Sequence, residues 1–365
     1  MTTSPLPERQ TIVRRSEPSP PPAEQTIKPR RREVLAGPAV ALITLVIALI
    51  CTGAADVRFR DPDHVAAGYF VMVGAAVVLL VWLDIALRAQ REPGRRWPTR
   101  AAMSAVRRTR WTRHRMLAAG GALLSFYVTY LAYRNLKGVI PLLRPGDLFD
   151  RELAEFDRAM FLGHDPPALL HDLLGTGIST HFLSTFYVAF IVFLPLSLAV
   201  ALVFSRDLQT SLFYATALSL NWLIGAGSYF LLPALGPVYA YPEWFASLPH
   251  SEVTRLQGIL LDDRIGFLKN PDTGTPQAIA AFASLHIAMS FTALAAAHLL
   301  DLGRRLKIGL WIWNVVTIIA TVYLGWHYFV DDIAGVAIGA LALALAQVLT
   351  KYDLRAARAR AQLSR

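Results

Sequence analysis

The sequence predicts an all-α, polytopic membrane bundle of about eight transmembrane helices, and three observations carry that expectation. The chain of 365 residues is 54% hydrophobic and only 17% charged, with a mean hydropathy of +0.41, too apolar for a soluble enzyme of this length. Eight segments approach the ~20 apolar residues that a ~30 Å hydrocarbon core demands of a helix. The basic residues behind the net charge of +10 gather in short stretches between those segments. That is the distribution of membrane orientation signals, not of a nucleic-acid site, so no nucleic-acid partner is expected. The one cysteine, Cys51, lies in an apolar run and excludes a disulfide framework.

Residues 1–33 are rich in Pro, Ser and charge without apolar periodicity, and are expected to form a disordered cytoplasmic tail. The eight spans are expected at about 36–55, 66–87, 116–134, 181–204, 210–232, 281–300, 308–326 and 332–350. The polar SRDLQ at 205–209 makes the fourth and fifth a hairpin. Residues 34–115 then hold two extra spans and a basic cytoplasmic loop, 116–350 a six-helix catalytic core, and 351–365 a basic cytoplasmic tail.

Charge sets the direction of the spans. The 88–115 loop carries ten Arg and one Glu; Arg30, Arg31 and Arg32 precede the first span; 301–307 reads DLGRRLK; the C-terminus reads KYDLRAARARAQLSR. Eight alternating spans from a cytoplasmic N-terminus place all four stretches in the cytoplasm, as positive-inside orientation requires. Both termini are therefore expected inside a plasma membrane, and 135–180, 233–280 and 327–331 on the far side. Within 147–161, Phe149, Leu153, Phe156 and Met160 recur at helical spacing. This suits either a helix lying on the membrane surface or a lid packed on the bundle.

Every residue suited to chemistry falls on that far side. AFASLHIAMSF (281–291) places Ser284 and His286 at the outer end of the sixth span, and HYFVD (327–331) joins the seventh span to the eighth. A helix brings i and i+4 to one face, so Asp331 can accept a hydrogen bond from the His327 ring. That fixes the tautomer and leaves the other ring nitrogen basic or nucleophilic. No cluster of metal-ligand type is seen, and no cofactor is expected.

These residues resemble the type 2 phosphatidic acid phosphatase superfamily, whose later signatures are P-S-G-H and S-R-x5-H-x3-D. Here they read Ala283-Ser284-Leu285-His286 and Ala320-Thr321-x5-His327-x3-Asp331, with V-Y-L-G (322–325) and I-A-G (333–335) alongside. The S-L-H and H-Y-x-x-D forms, with the Pro-rich LPALGPVYAYP (232–242) upstream, are similar to the inositol phosphorylceramide synthase, or aureobasidin-resistance, branch. The resemblance covers about 116–350. It implies a metal-independent lipid phosphotransferase of inositolphosphotransferase type, acting on a lipid phosphate among membrane lipids, with an alcohol as acceptor.

By the same resemblance His327 is the nucleophile that becomes a phosphohistidine, Asp331 orients it, and His286 protonates the leaving oxygen. Ser284 holds phosphate oxygens. Lys137 to Arg144-Pro145 has the spacing of the family's K-x6-R-P, although it precedes Ser284 by two spans; Arg134, Arg255, Arg264 and Lys269 are the other candidate phosphate-binding cations. Thr321 stands where the family has Arg, which removes a phosphate clamp and favours the transferase branch. Hydrolysis of a lipid phosphate or polyprenyl diphosphate remains the alternative, and a transporter or scaffold the reading from another class.

Overall fold

The computed structural model describes residues 31–61, 64–90, 97–205, 207–275 and 279–362. Among them the regular structure is entirely helical. In chain order the helices are α1 (Arg31–Ala54), α2 (Val65–Ala89), α3 (Arg100–Arg110), α4 (Arg113–Leu143), α5 (Asp150–Met160), α6 (Pro166–Leu174) and α7 (Ile178–Phe204). There follow α8 (Leu208–Leu231), α9 (Pro237–Ala240), α10 (Glu252–Lys269), α11 (Leu285–Leu299), α12 (Arg304–Tyr323), α13 (Phe329–Thr350) and α14 (Leu354–Gln362). Six of these, α1, α2, α4, α7, α12 and α13, are long and apolar enough to cross a membrane. The chain is an all-α, multi-pass membrane bundle.

Two of the eight expected spans fall outside those six, for different reasons. α8 has 24 residues, of which 16 are buried; it is the helix against which α1, α4, α7, α11 and α13 pack. A helix surrounded by protein can carry Ser211, Thr216, Ser219 and Asn221, all buried, where a lipid-facing one could not. α11 has only 15 residues, about 22 Å of helix. The chain before it, expected as helix from 281, is non-helical up to Ser284, with Ala281, Ala283 and Ser284 buried. Irregular backbone at membrane depth is tolerable when protein covers it.

Inter-helix polar pairs and small residues hold the bundle, as expected where lipid removes the hydrophobic drive for helices to associate. Asn221 Nδ2 donates to Thr292 Oγ1 at 2.9 Å, and Ser290 Oγ donates to Asn314 Oδ1 at 3.2 Å. These bonds link α8 to α11 and α11 to α12.

Several boundaries differ from expectation. α4 continues to Leu143, so Lys137 belongs to a helix and not to an outer loop, because Ile140, Val139 and Leu136 keep a buried stripe beyond residue 134. α12 stops at Tyr323, which leaves His327 in a turn. Of the tail expected at 1–33, residues 1–30 lie outside the described residues; Arg31–Glu33 open α1, where Glu33 is buried and accepts from Gln209 Nε2 at 3.0 Å. The basic 88–115 loop contains α3, with 91–96 outside the described residues, and the C-terminal tail contains α14. α5 is a lid on the bundle: Asp150, Leu153, Ala154 and Asp157 face inward, while Phe156 and Met160 are exposed.

Candidate active site

Two glycines bring the signature segments together. Gly335 and Gly339 face α11 from α13. A Cβ at 335 would collide with the Ser284 carbonyl, and one at 339 would stand 2.6 Å from the Ala288 carbonyl. Small residues four apart let two backbones touch, and Ser284 N–H donates to the Asp331 carbonyl at 3.0 Å. The start of α11 and the start of α13 are therefore locked side by side.

The turn before α13 presents His327. Gly325 sits at φ +74°, and its N–H and those of Trp326 and His327 fold back on the Val322 and Thr321 carbonyls. The Pro-rich stretch 232–242 docks here: Val238 N–H donates to the Gly325 carbonyl at 2.9 Å, and a Cβ at Gly236 would lie 2.6 Å from the Trp326 carbonyl.

Two acids of α5, not singled out from the sequence, anchor this turn. Asp157 accepts from Phe329 N–H at 2.7 Å and Val330 N–H at 2.9 Å, satisfying the free amides at the start of α13 as a capping side chain does. Asp150 accepts from Leu235 N–H at 2.9 Å, Gly236 N–H at 2.8 Å and the Tyr328 hydroxyl at 3.0 Å. Burial pushes both carboxyls up, Asp157 to about 6, against the opposing pull of these donors. The signal was available: Asp150 and Asp157, seven apart, share the inward stripe with Leu153 and Ala154.

The two imidazoles lie 5.9 Å apart between ring centroids. His327 Nδ1 is 3.4 Å from Asp331 Oδ2, a contact rather than a well-formed hydrogen bond; that oxygen accepts Tyr328 N–H at 3.0 Å. Nδ1 has no hydrogen-bond partner. Burial, opposed in part by the Ala281 carbonyl and reinforced by the Lys137 charge, pulls the His327 imidazole down to about 3, so it is neutral at neutral pH. His286 packs against Tyr187 and Phe190 at 4.6 and 4.4 Å, which fixes its ring beside that of His327.

Both histidines open into a cavity of about 310 Å³, together with Arg134, Lys137, Tyr133 and Tyr229. Lys137 Nζ lies 5.4 Å from the centre of the Tyr229 ring. Arg134 pairs with Asp61 at 2.8 Å. Of the other candidate cations, Arg144 and Arg264 line a separate cavity of about 270 Å³, where Arg144 pairs with Asp147 and donates to the Phe230 and Leu231 carbonyls. Arg255 is 75% exposed and pairs with Glu252, and Lys269 is exposed. Ser284 is fully buried and absent from the cavity wall; it sits beside Asp332, its Oγ making no well-formed hydrogen bond. Thr321 donates to Asp332 Oδ2 at 2.9 Å. Among the described residues no group of three or more His, Cys, Asp or Glu is arranged to hold a metal ion.

Residues 151–345 match the PAP2 superfamily, over more than half of the chain. The chain belongs to the PAP2 superfamily. Members of the PAP2 superfamily are typically phosphatases or phosphotransferases, and the matched stretch contains His286, His327 and Asp331 but ends short of α1–α4. Arg134 and Lys137 thus reach the cavity from outside it. No curated protein and no solved structure matches the chain.

Proposed function

We propose that this PAP2 superfamily member transfers a phosphate-bearing head group from a lipid to an alcohol through a phosphohistidine at His327, in the manner of an inositolphosphotransferase. The observation that carries the reading is the pair of imidazoles, 5.9 Å apart, at one end of a cavity that also holds Lys137 and Arg134. A phosphorus atom between two rings at that spacing is within reach of both, and phosphoryl transfer needs little beyond positioning and charge neutralisation.

In the first step neutral His327 attacks phosphorus through its unprotonated ring nitrogen. The bond to the lipid oxygen breaks as His286, which takes up a proton when the anionic phosphate enters beside it, gives that proton to the oxygen. In the second step His286 takes the proton of an incoming hydroxyl whose oxygen attacks the phosphohistidine, freeing His327. Asp331, 3.4 Å from His327 Nδ1, holds the ring in place, while Lys137 and Arg134 offset the phosphate charge. No metal enters either step. Water in the second step would make the same site a phosphatase. The alcohol is preferred because Thr321, at the position of a phosphate-clamping Arg, is committed to Asp332.

The Arg-rich loops lie at the helix ends opposite those bearing His286 and His327, which supports cytoplasmic termini and a site at the outer face of a plasma membrane. Purified protein given a 32P-labelled lipid phosphate should form an acid-labile, base-stable adduct in excess chelator. His327→Ala should abolish the adduct and lower kcat/KM at least ~1,000-fold without unfolding the protein. Full activity in that variant would end the reading in favour of a transporter or scaffold. Release of inorganic phosphate at equal rate with and without added alcohol would make it a phosphatase.

A further inference from the structure

The cavity does not end at the polar pocket. Along α4 its lining runs from Lys137 through Tyr130 and Phe126 to Leu123, one helical stripe of 14 residue-to-residue steps. At ~1.5 Å per residue that is ~21 Å, about two-thirds of a ~30 Å hydrocarbon core. Beyond Arg134 and Lys137 this wall is aromatic and aliphatic. The facing wall on α7 is a second stripe, Phe190, Ile191 and Leu194, at the i, i+1, i+4 spacing of one helix face.

The third wall is α2, through Tyr69, Phe70 and Val73. α2 belongs to the two helices preceding the core and lies outside the matched region. It packs on α7 and α4, yet only 17% of its most apolar window is buried, against 33–50% in the other five long apolar helices. Its opposite face, with Val71, Val78 and Leu79, is 64–70% exposed. α2 is thus a thin partition between the cavity and the lipid.

We infer that this apolar arm holds one long hydrocarbon chain of a lipid phosphate, and that α2 is the wall that sets which chain fits. The inference rests on the reading of the histidine end as a phosphate site. Charge and neutral apolar wall are arranged end to end in one continuous volume, so the occupant must be an amphiphile with an anionic head and a long tail. Its head meets Lys137 and Arg134, while its tail replaces bilayer contacts with α2, α4 and α7. Each methylene that enters the arm exchanges bilayer contacts for contacts with its walls, so chain length is readable where the arm, rather than bulk lipid, takes it up.

The test uses full-length protein in nanodiscs with hexadecyl phosphate and hexyl phosphate, binding being read by native mass spectrometry. Partition into the bilayer is common to all variants and cancels in the ratio of the two affinities. Val73→Trp, which fills the arm, should lower the hexadecyl-to-hexyl ratio at least tenfold, and Leu79→Trp on the lipid side of α2 should leave it at the wild-type value. Should Val73→Trp not fold, Phe70→Ala opens the same wall and should raise the ratio for branched over straight long chains. An unchanged ratio in the folded α2 variants, or an equal fall in Leu79→Trp, overturns the inference. If the ratio responds while no phosphohistidine forms, the chain arm stands and the proposed reaction fails; an adduct with an unresponsive ratio reverses that outcome.

Discussion

Buried acids occur at both ends of this bundle, and they are satisfied in opposite ways. At the Arg-rich end Asp84, 2% exposed, accepts from Arg88 Nε and Arg110 Nε at 2.8 Å each and from Trp111 Nε1 at 3.0 Å. Arg110 in turn donates to the Val203 and Ser205 carbonyls that end α7. At the histidine end Asp150 and Asp157 accept from backbone amides and a tyrosine hydroxyl, with no cation among those donors. The first arrangement is a charge network that ties helix ends together. The second fixes a turn without consuming positive charge, and Lys137, which makes no ion pair among the described residues, lines the cavity beside it.

The contrast can be broken from either side. The largest effect on stability is expected at Asp84. Asp84→Ala strands the buried Arg110 guanidinium, and removal of one partner of such a pair costs about 3–5 kcal/mol. Turnover per folded molecule should stay near wild type. Thermal unfolding in detergent beside an activity assay checks this, and lost turnover in well-folded Asp84→Ala would erase the distinction between the two ends.

Asp157→Ala should cost less stability, about 1–3 kcal/mol for amides left unsatisfied, but lower kcat some ~100-fold through loosening of the His327 turn. Its carboxyl also carries a pH signature. With the folded value raised to about 6, the folded protein holds this proton more tightly than the unfolded chain. That contribution to stability is present in acid and is lost as pH rises through about 6. Asp157→Asn should remove this slope between pH 4 and 6 from unfolding curves; an identical slope in wild type and variant would remove the buried carboxyl as its source. The smallest effect is expected at Arg255, exposed and paired only with Glu252. Arg255→Ala should change stability by less than about 0.5 kcal/mol and initial rates by less than twofold; a larger fall in rate would place the head group outside the histidine cavity.

The long apolar helices were legible because hydropathy reports lipid contact directly. α8 was legible by length, although its burial explains the polar residues that weaken its signal. The pairing of His327 with Asp331 was expected from helical i, i+4 spacing, yet His327 precedes the helix, and the two meet because the chain enters α13 through a tight turn. The α5 acids were not singled out in the sequence. A carboxylate aimed at a helix start and one aimed at water are written with the same letter, and only the inward Leu153 and Ala154 distinguish them. Which cation reaches the cavity was equally hidden, since it depends on how far α4 continues past residue 134.

The contact at Gly335 has a wider consequence. Wherever side chains meet side chains, rotamers can absorb an added methyl group; here the Gly335 α-carbon faces the Ser284 carbonyl directly, and neither side has a torsion to spare. The distance between the two imidazoles is therefore held by a missing carbon atom. Gly335→Ala would part the two segments like a shim in a hinge, and no repacking elsewhere in the bundle could close the gap.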